Sequence, residues 1–249
     1  MLQAKIDDLV RKSENFGCVC TRFLSPKESF DLQKYIRFSH PGVTFFVDGG
    51  YPDAERVLIF IIADYFDKSF VCKEDFYRLI CIEGSGYYQN SHRDFLGSLL
   101  GLGITREMIG DIYIDGKFAY AFVLPGLADF LLTKPCPLTT VGRDKVRVYA
   151  ENLDHAVSFK RDFECKSLLV SSLRLDCVVS GVLGVSRDKC DKLISMGAVT
   201  RNYEISDKAH TEVKDDDVIS VKGYGKYRIR LTGVFSKKGK IKVNAMKYI

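Results

Sequence analysis

The sequence predicts an α+β fold divided among three small domains: a small N-terminal α+β domain (residues 1–73), a ferredoxin/RRM-like middle domain (74–165) and a C-terminal domain of two short helices followed by β-rich segments (172–249). Three observations lead there. The 249 residues exceed one typical domain. Apolar spacing switches repeatedly between the period of strands and that of helices, with no long repeat and no low-complexity tract. Charge is also segregated. From Lys166 onward, 17 Lys and Arg stand against 9 Asp and Glu, whereas the rest of the chain is slightly acidic and the whole carries only +5. Residues 222–249 hold nine basic residues and no acidic one. Such asymmetry favours a polyanionic partner for the C-terminal part; a solvated basic tail is the plainer alternative.

In the first domain, Ser25-Pro26-Lys27-Glu28 is a capping box with proline at the first helical position, so a helix is expected to about residue 38. His40-Pro41-Gly42 breaks it. Residues 43–47 read as a strand, Asp48-Gly49-Gly50-Tyr51-Pro52 as a turn and 57–63 as a buried strand. In the middle domain, strands are expected at 79–82, 109–114, 117–123 and 145–150. Asp115-Gly116 marks a two-residue hairpin. Helices are expected at 92–102, with Phe95, Leu96, Leu99 and Leu100 on one face, and at 127–133. The order β-α-β-β-α-β suggests the ferredoxin-like or RRM-like arrangement.

In the third domain, Leu175, Val178, Val179 and Val182 fall at i, i+3, i+4 and i+7, one apolar helical face closed by Gly184. Ser186 caps a second helix whose Cys190, Leu193 and Ile194 face inward, ending at Gly197. A turn at Asn202 and β-rich runs at 217–221 and 226–231 follow. The second helix presents first-turn N–H groups and the Arg187 guanidinium from one end, a geometry suited to phosphate. Arg174 can join that surface, Lys189 and Lys192 extend it, and Asn202 can bond backbone or 2′-hydroxyl groups. Lys226 and Arg228 alternate with Tyr224 and Tyr227, offering stacking beside charge. The plainer readings are pairing of Arg174 or Arg187 with Asp176 or Asp188, a turn role for Asn202, and core packing for the tyrosines. His92 and Arg93, at a helix start, are candidates for a second RNA surface or simply polar first-turn residues.

The combination Arg174-Leu-Asp, Ser186-Arg187, Leu193-Ile194-x-x-Gly197-x-Val199, Asn202 and Asp217-x-Ile219-x-Val221 resembles the S4 (αL-type) RNA-binding domain. Three positions depart from that pattern: Cys190 for a usual alanine, Arg201 for a β-branched residue, and Asp216 for a glycine, which bears on the hairpin geometry. Beyond that domain, His92-Arg93-Asp94-Phe-Leu-Gly-Ser-Leu-Leu-Gly-Leu-Gly-Ile104, Ile109-Gly110-Asp111-Ile112 and Val221-Lys-Gly223-Tyr224-Gly225-Lys226-Tyr227 are similar to the YlmH family. That resemblance implies a cytoplasmic, non-catalytic protein of ribosome-associated quality control and a cell-division association. It also implies docking on the large ribosomal subunit, on 23S rRNA and peptidyl-tRNA, with Arg174 and Arg187 as the best-matched contacts. A monomer is expected.

Other classes are weaker. No apolar run reaches the ~18–20 residues needed to cross a bilayer, and the N-terminus lacks a signal-peptide pattern. The eight cysteines form no CxxC pair, so no metal site and no cofactor is expected. An S4-linked pseudouridine synthase would use an Arg-Leu-Asp aspartate, but Asp176 lies within the first helix of the C-terminal domain. A methyltransferase would need a glycine loop after a strand, whereas Gly97, Gly101 and Gly103 lie in or at the end of a helical pattern. Adjacent His92 and Asp94 do not face one another on a helix. No catalytic residue is assigned. An RNA-modifying enzyme and a cell-division interaction protein with secondary RNA binding remain the competing readings.

Overall fold

The computed structural model describes residues 2–248. The chain divides into two compact units, Met1–Lys160 and Arg161–Ile249. Every sheet is antiparallel, and the fold is α+β as expected.

The first unit is layered. Helix α1 (Leu2–Phe16), strand β1 (Cys18–Cys20), helix α2 (Pro26–Ser39) and strands β2 (Thr44–Asp48) and β3 (Leu58–Ile62) come first. They build a three-stranded sheet of order β1-β3-β2, and α1 and α2 pack on its outer face through Ile6, Leu32 and Ile36. The capping box forms as the sequence required: Glu28 accepts from the Ser25 N–H at 2.8 Å, and Ser25 Oγ accepts from the Glu28 N–H. Next come β4 (Arg78–Glu83), α3 (His92–Leu100), β5 (Ile109–Asp115), β6 (Phe118–Val123), α4 (Pro125–Leu131), the short pair β7 (Thr140–Val141) and β8 (Asp144–Lys145), and β9 (Arg147–Glu151). The sheet order β5-β6-β4-β9 is the ferredoxin-like one, with each crossover helix on the same face. The expected Asp115-Gly116 hairpin forms one residue further on. Asp115 pairs with Phe118, so Gly116 and Lys117 make the loop, with Gly116 at φ +58° supplying the conformation a first loop position needs.

The two sheets of this unit share one core. Phe60, Leu58 and Phe23 from the N-terminal layer meet Tyr77, Leu79, Tyr120 and Phe122 of the middle sheet. Tyr51 stacks on Phe122 at 5.7 Å, and Phe159 stacks on Tyr113 at 4.2 Å. A buried carboxylate locks the layers: Asp111 accepts from Tyr51 Oη at 2.8 Å and from the N–H groups of Glu55 and Arg56 at 2.8 and 3.1 Å. The turn before β3 is therefore a clamp. At Gly50 (φ +96°) a Cβ would sit 2.1 Å from the Phe122 ring, so no other residue fits. Residues 1–73 and 74–160 thus form one compact unit rather than two.

The second unit begins with β10 (Phe163–Val170), not at residue 172, because β10 pairs along all eight residues with β15 (Ile241–Tyr248). Between them lie α5 (Leu175–Leu183), α6 (Arg187–Ser195), β11 (Val199–Arg201), β12 (Glu204–Ile205), β13 (Val218–Val221) and β14 (Gly225–Phe235), giving a sheet of order β10-β15-β14-β13-β11-β12. The predicted helical face is the buried one: Leu175, Val178, Val179 and Val182 join Cys190, Ile194, Val199, Ile219 and Ile229 in a single core. Gly184 takes the left-handed conformation that ends α5, and Ser186 caps α6 by accepting from the Lys189 N–H. Asp216, the residue that departs from the S4 glycine, also sits at positive φ (+65°), so the turn keeps its shape. Cys18, Cys81, Cys177 and Cys190 are buried; Cys72 and Cys165 are exposed. Among the described residues no helix is long and apolar enough to cross a membrane.

Candidate nucleic-acid interface

The structure separates the residues picked from the sequence into two groups within the second unit, plus a third location in the first. At the helix end, Arg174 is the residue before α5 and makes a two-pronged pair with Asp176, Nε to Oδ1 at 3.0 Å and NH2 to Oδ2 at 3.1 Å. Burial disfavours the Asp176 anion, but the Arg174 hydrogen bonds and charge outweigh it and hold its pKa below the usual value. Half of the Arg174 side chain stays in solvent, so the structural pairing does not withdraw it from the surface. Arg187, the first residue of α6, donates to Ser171 Oγ in the turn before α5, which ties the start of α6 to the segment three residues ahead of Arg174. Lys189 and Lys192 project from α6 into solvent. Asp188 and Asp191 share the helix, but among the described residues they form no ion pair with these cations.

The second group lies on the sheet. Asn202 and Tyr203 form a two-residue loop between Arg201 and Glu204, both at positive φ (+49° and +67°). That is a type I′ hairpin loop, for which asparagine is well suited. The Asn202 amide is also used at both ends: Nδ2 donates to Asp217 at 2.7 Å and Oδ1 accepts from the Val218 N–H at 2.9 Å. Buried Asp217 is the hub, accepting as well from Arg201 Nε and from the Lys214 N–H. This geometry engages Asn202 in the fold rather than presenting it. Beside it, Tyr248 gathers cations: the Lys226 ammonium lies 4.2 Å from its ring centroid, with the Arg161 and Arg228 guanidinia at 5.7 and 5.8 Å. Arg228 Nε donates to Tyr248 Oη at 3.2 Å. Burial, aided by the Arg228 charge, pushes the Lys226 pKa down to about 8. Sequence reasoning named Lys226 and Arg228 but missed Arg161, Phe163 and Tyr248, which reach them only by the pairing of β10, β15 and β14.

His92 and Arg93 open α3 on the exposed side. Asp94 is the capping partner of Ser91, accepting its N–H and O–H at 2.7 Å each, so the His-Arg-Asp run contains a cap rather than an acid–base pair. The aromatic residues that an RRM-like sheet would offer to bases are present on β5 and β6, but Tyr120 and Phe122 are buried under Tyr51, Phe159 and the three-stranded sheet. A cavity of about 700 Å³ beside α1 is lined by apolar residues with Lys5, Asp8, Arg22, Glu28, Arg56, Arg106 and Glu107. Most of those charges are committed: Arg22 pairs with Glu107, Asp8 with Lys12, Glu28 caps α2, and Arg56 and Arg106 donate to backbone carbonyls.

An α+β chain with cations clustered at a helix end and around an aromatic sheet face has the build of an RNA-binding protein. Comparison with known proteins gives that class a particular form. A family model described as "Putative RNA-binding domain in YlmH" matches residues 73–155. The "Ribosome-associated protein quality control protein P2" of Bacillus subtilis (strain 168) is 28% identical over 232 residues, 92% of this chain and 86% of that protein. The solved structure of "Cell division protein ylmH from Streptococcus pneumoniae" superposes with a TM-score of 0.50 at 22% identity, covering 63% of this chain and 93% of that one. The YlmH resemblance read from the sequence is borne out, and residues 73–155 match the domain described for that family.

Proposed function

We propose that this is a non-catalytic, cytoplasmic RNA-binding protein that docks on the large ribosomal subunit, on rRNA and peptidyl-tRNA, in the quality control of stalled translation. The S4-type helix pair of the second unit is its main contact. The observation that carries this reading is the cation cluster at the helix end. Among the described residues, Arg187, Lys189 and Lys192 are exposed and form no ion pair with a carboxylate, and Arg174 at the start of α5 is half exposed. Such groups neutralise phosphates and lose affinity as salt rises. The similarity to a protein named for ribosome-associated quality control supports the ribosomal destination. The committed arginines of the cavity beside α1 support a binding rather than a catalytic role.

The test is co-sedimentation with purified large subunits carrying peptidyl-tRNA, across a salt series. The variant Arg187→Ala/Lys189→Ala/Lys192→Ala should weaken binding and flatten the salt dependence, by about one unit of log–log slope for each phosphate no longer neutralised. It leaves the Asp176 pair intact, which Arg174→Ala would not. Binding and slope equal to wild type would exclude this docking surface.

A further inference from the structure

We propose that the 84–91 loop of the middle domain, with Tyr87 and Tyr88 at its tip and Arg93 and Arg143 beside it, is a site for unpaired RNA nucleotides. This rests on the reading that the domain at residues 73–155 binds RNA, and it says where. The familiar platform of a four-stranded sheet is closed here, because its Tyr120 and Phe122 are buried in the core shared with the N-terminal layer. RNA must therefore meet this domain somewhere else.

Loop 84–91 has what stacking needs. Tyr87 is 91% exposed and Tyr88 50%, and among the described residues neither ring packs on another ring or a cation. Tyr87, almost wholly in water, serves no packing purpose in the chain, and Tyr88 beside it keeps half its surface open, so a base can stack on each. The loop is also held in shape. Buried Asp144 accepts from the Ser85 N–H at 3.1 and 3.2 Å and from Asn90 Nδ2 at 3.2 Å, so both ends of the loop are tied to one carboxylate. The Gly84 N–H donates to the Lys117 carbonyl at 2.9 Å, and a Cβ on Gly84 would lie 2.5 Å from Asp144 Oδ2. A loop fixed before binding gives up little entropy on binding.

The charge is complementary. Arg93 in the first turn of α3 and Arg143 in the β7–β8 turn are exposed and have no carboxylate partner among the described residues. The nearby acids are occupied: Glu83 by Lys117 at 2.7 Å and Arg147 at 3.0 Å, Asp94 by Ser91, and Asp144 by the loop. The N-terminus of α3 is satisfied by its own capping box, so phosphates would be met by the arginines and not by the helix end. Side-by-side stacking surfaces suit single strands, since bases in a duplex already stack on one another.

The test uses the full chain and a fluorescein-labelled oligouridine of about a dozen nucleotides, read by anisotropy against a duplex of similar length. Wild type should prefer the single strand. Tyr87→Ala/Tyr88→Ala should weaken it roughly tenfold or more, with an unchanged melting curve. Tyr87→Phe/Tyr88→Phe should stay within about twofold, because the ring is what stacks. Arg93→Ala/Arg143→Ala should lower the salt slope by about 0.7 for each phosphate left without its arginine. A Tyr87→Ala/Tyr88→Ala variant that binds like wild type, or a wild type without preference for the single strand, overturns the site. Loss of oligouridine binding in the α6 triple variant but not in the tyrosine variant overturns it too, and leaves the large-subunit reading standing. If the tyrosine variant loses subunit association but keeps oligouridine binding, the loop meets a protein, and the RNA site is likewise overturned.

Discussion

The four-stranded sheet of the first unit is covered on both faces, by α3 and α4 on one side and by Tyr51, Phe159 and the three-stranded sheet on the other. The six-stranded sheet of the second unit carries α5 and α6 on one face, and among the described residues no helix of its own unit covers the other, where Lys226, Arg228, Lys242 and Tyr248 lie. Both opposite faces are rich in aromatics. In the first unit the rings of Tyr51, Tyr113, Tyr120, Phe122 and Phe159 pack on one another within the shared core, and only rings nearer its edge, Phe46 and Phe118, meet an ammonium group. In the second they meet guanidinium and ammonium groups. The same residue types thus hold a domain together or present charge, according to what the topology lays over them. Burial, not aromatic content, decides whether such a sheet can offer a platform to bases.

The strongest way to break this contrast is to remove what closes the first sheet. Asp111→Ala leaves the Tyr51 hydroxyl and two backbone N–H groups without their acceptor, and should cost about 3–5 kcal/mol. Urea unfolding followed by circular dichroism should show the first unit melting early while the transition of the second stays in place. One shared transition moving as a whole would show that the units do not unfold separately. A smaller effect sharpens the other side. The Lys226 pKa is about 8 in the folded chain, below its ordinary 10.5. The native state therefore loses this proton near pH 8 while the unfolded chain keeps it to about pH 10.5, so stability rises with pH across that window. RNA affinity should fall over the lower part of it as the sheet face loses a charge. A side-chain NMR titration with its midpoint near 10.5 would remove Lys226 from the half-buried cluster. Asp216→Gly should matter least. It relieves a left-handed backbone but gives up the 2.6 Å pair with Arg230, and the two should cancel to within about 0.5 kcal/mol. A destabilisation several times larger would show that the pair, not the turn, explains the residue.

The parts legible in the sequence were those written locally. Ser25 with Glu28, and Ser186 with Gly184 and Gly197, fix helix ends by chemistry contained within a few residues, and the faces of α5 and α6 follow from spacing alone. Helix α1 is hard to read from the sequence because its apolar face is short, Ile6 with Leu9 and Val10, and Ile6 and Ser13 are its only fully buried residues. Strand β10 escaped for another reason: only Leu168 and Val170 face the core, and its partner β15 lies some seventy residues away in the chain. The site followed the same rule. Arg174 and Arg187 are legible from their places at helix starts, while the bond that ties Arg187 back to Ser171 is not. Tyr248 meets Lys226 across a sheet, and Asp144 holds the 84–91 loop from more than fifty residues away. Interactions of that range leave no periodic trace.

The boundary between Lys160 and Arg161 has a consequence for residence on a long ligand. One covalent chain carries a cationic helix end in one unit and a stacking loop in the other, so neither is ever free of its companion. Once one has engaged, the second searches at a local concentration that a short tether raises to about the millimolar range. Two attachments on one chain then combine into an avidity about 10²–10⁴-fold beyond either, provided the RNA spans both. Release would proceed by one attachment letting go and rebinding many times before both are open together, so cutting the chain at this boundary should shorten the bound lifetime far more than it weakens either half.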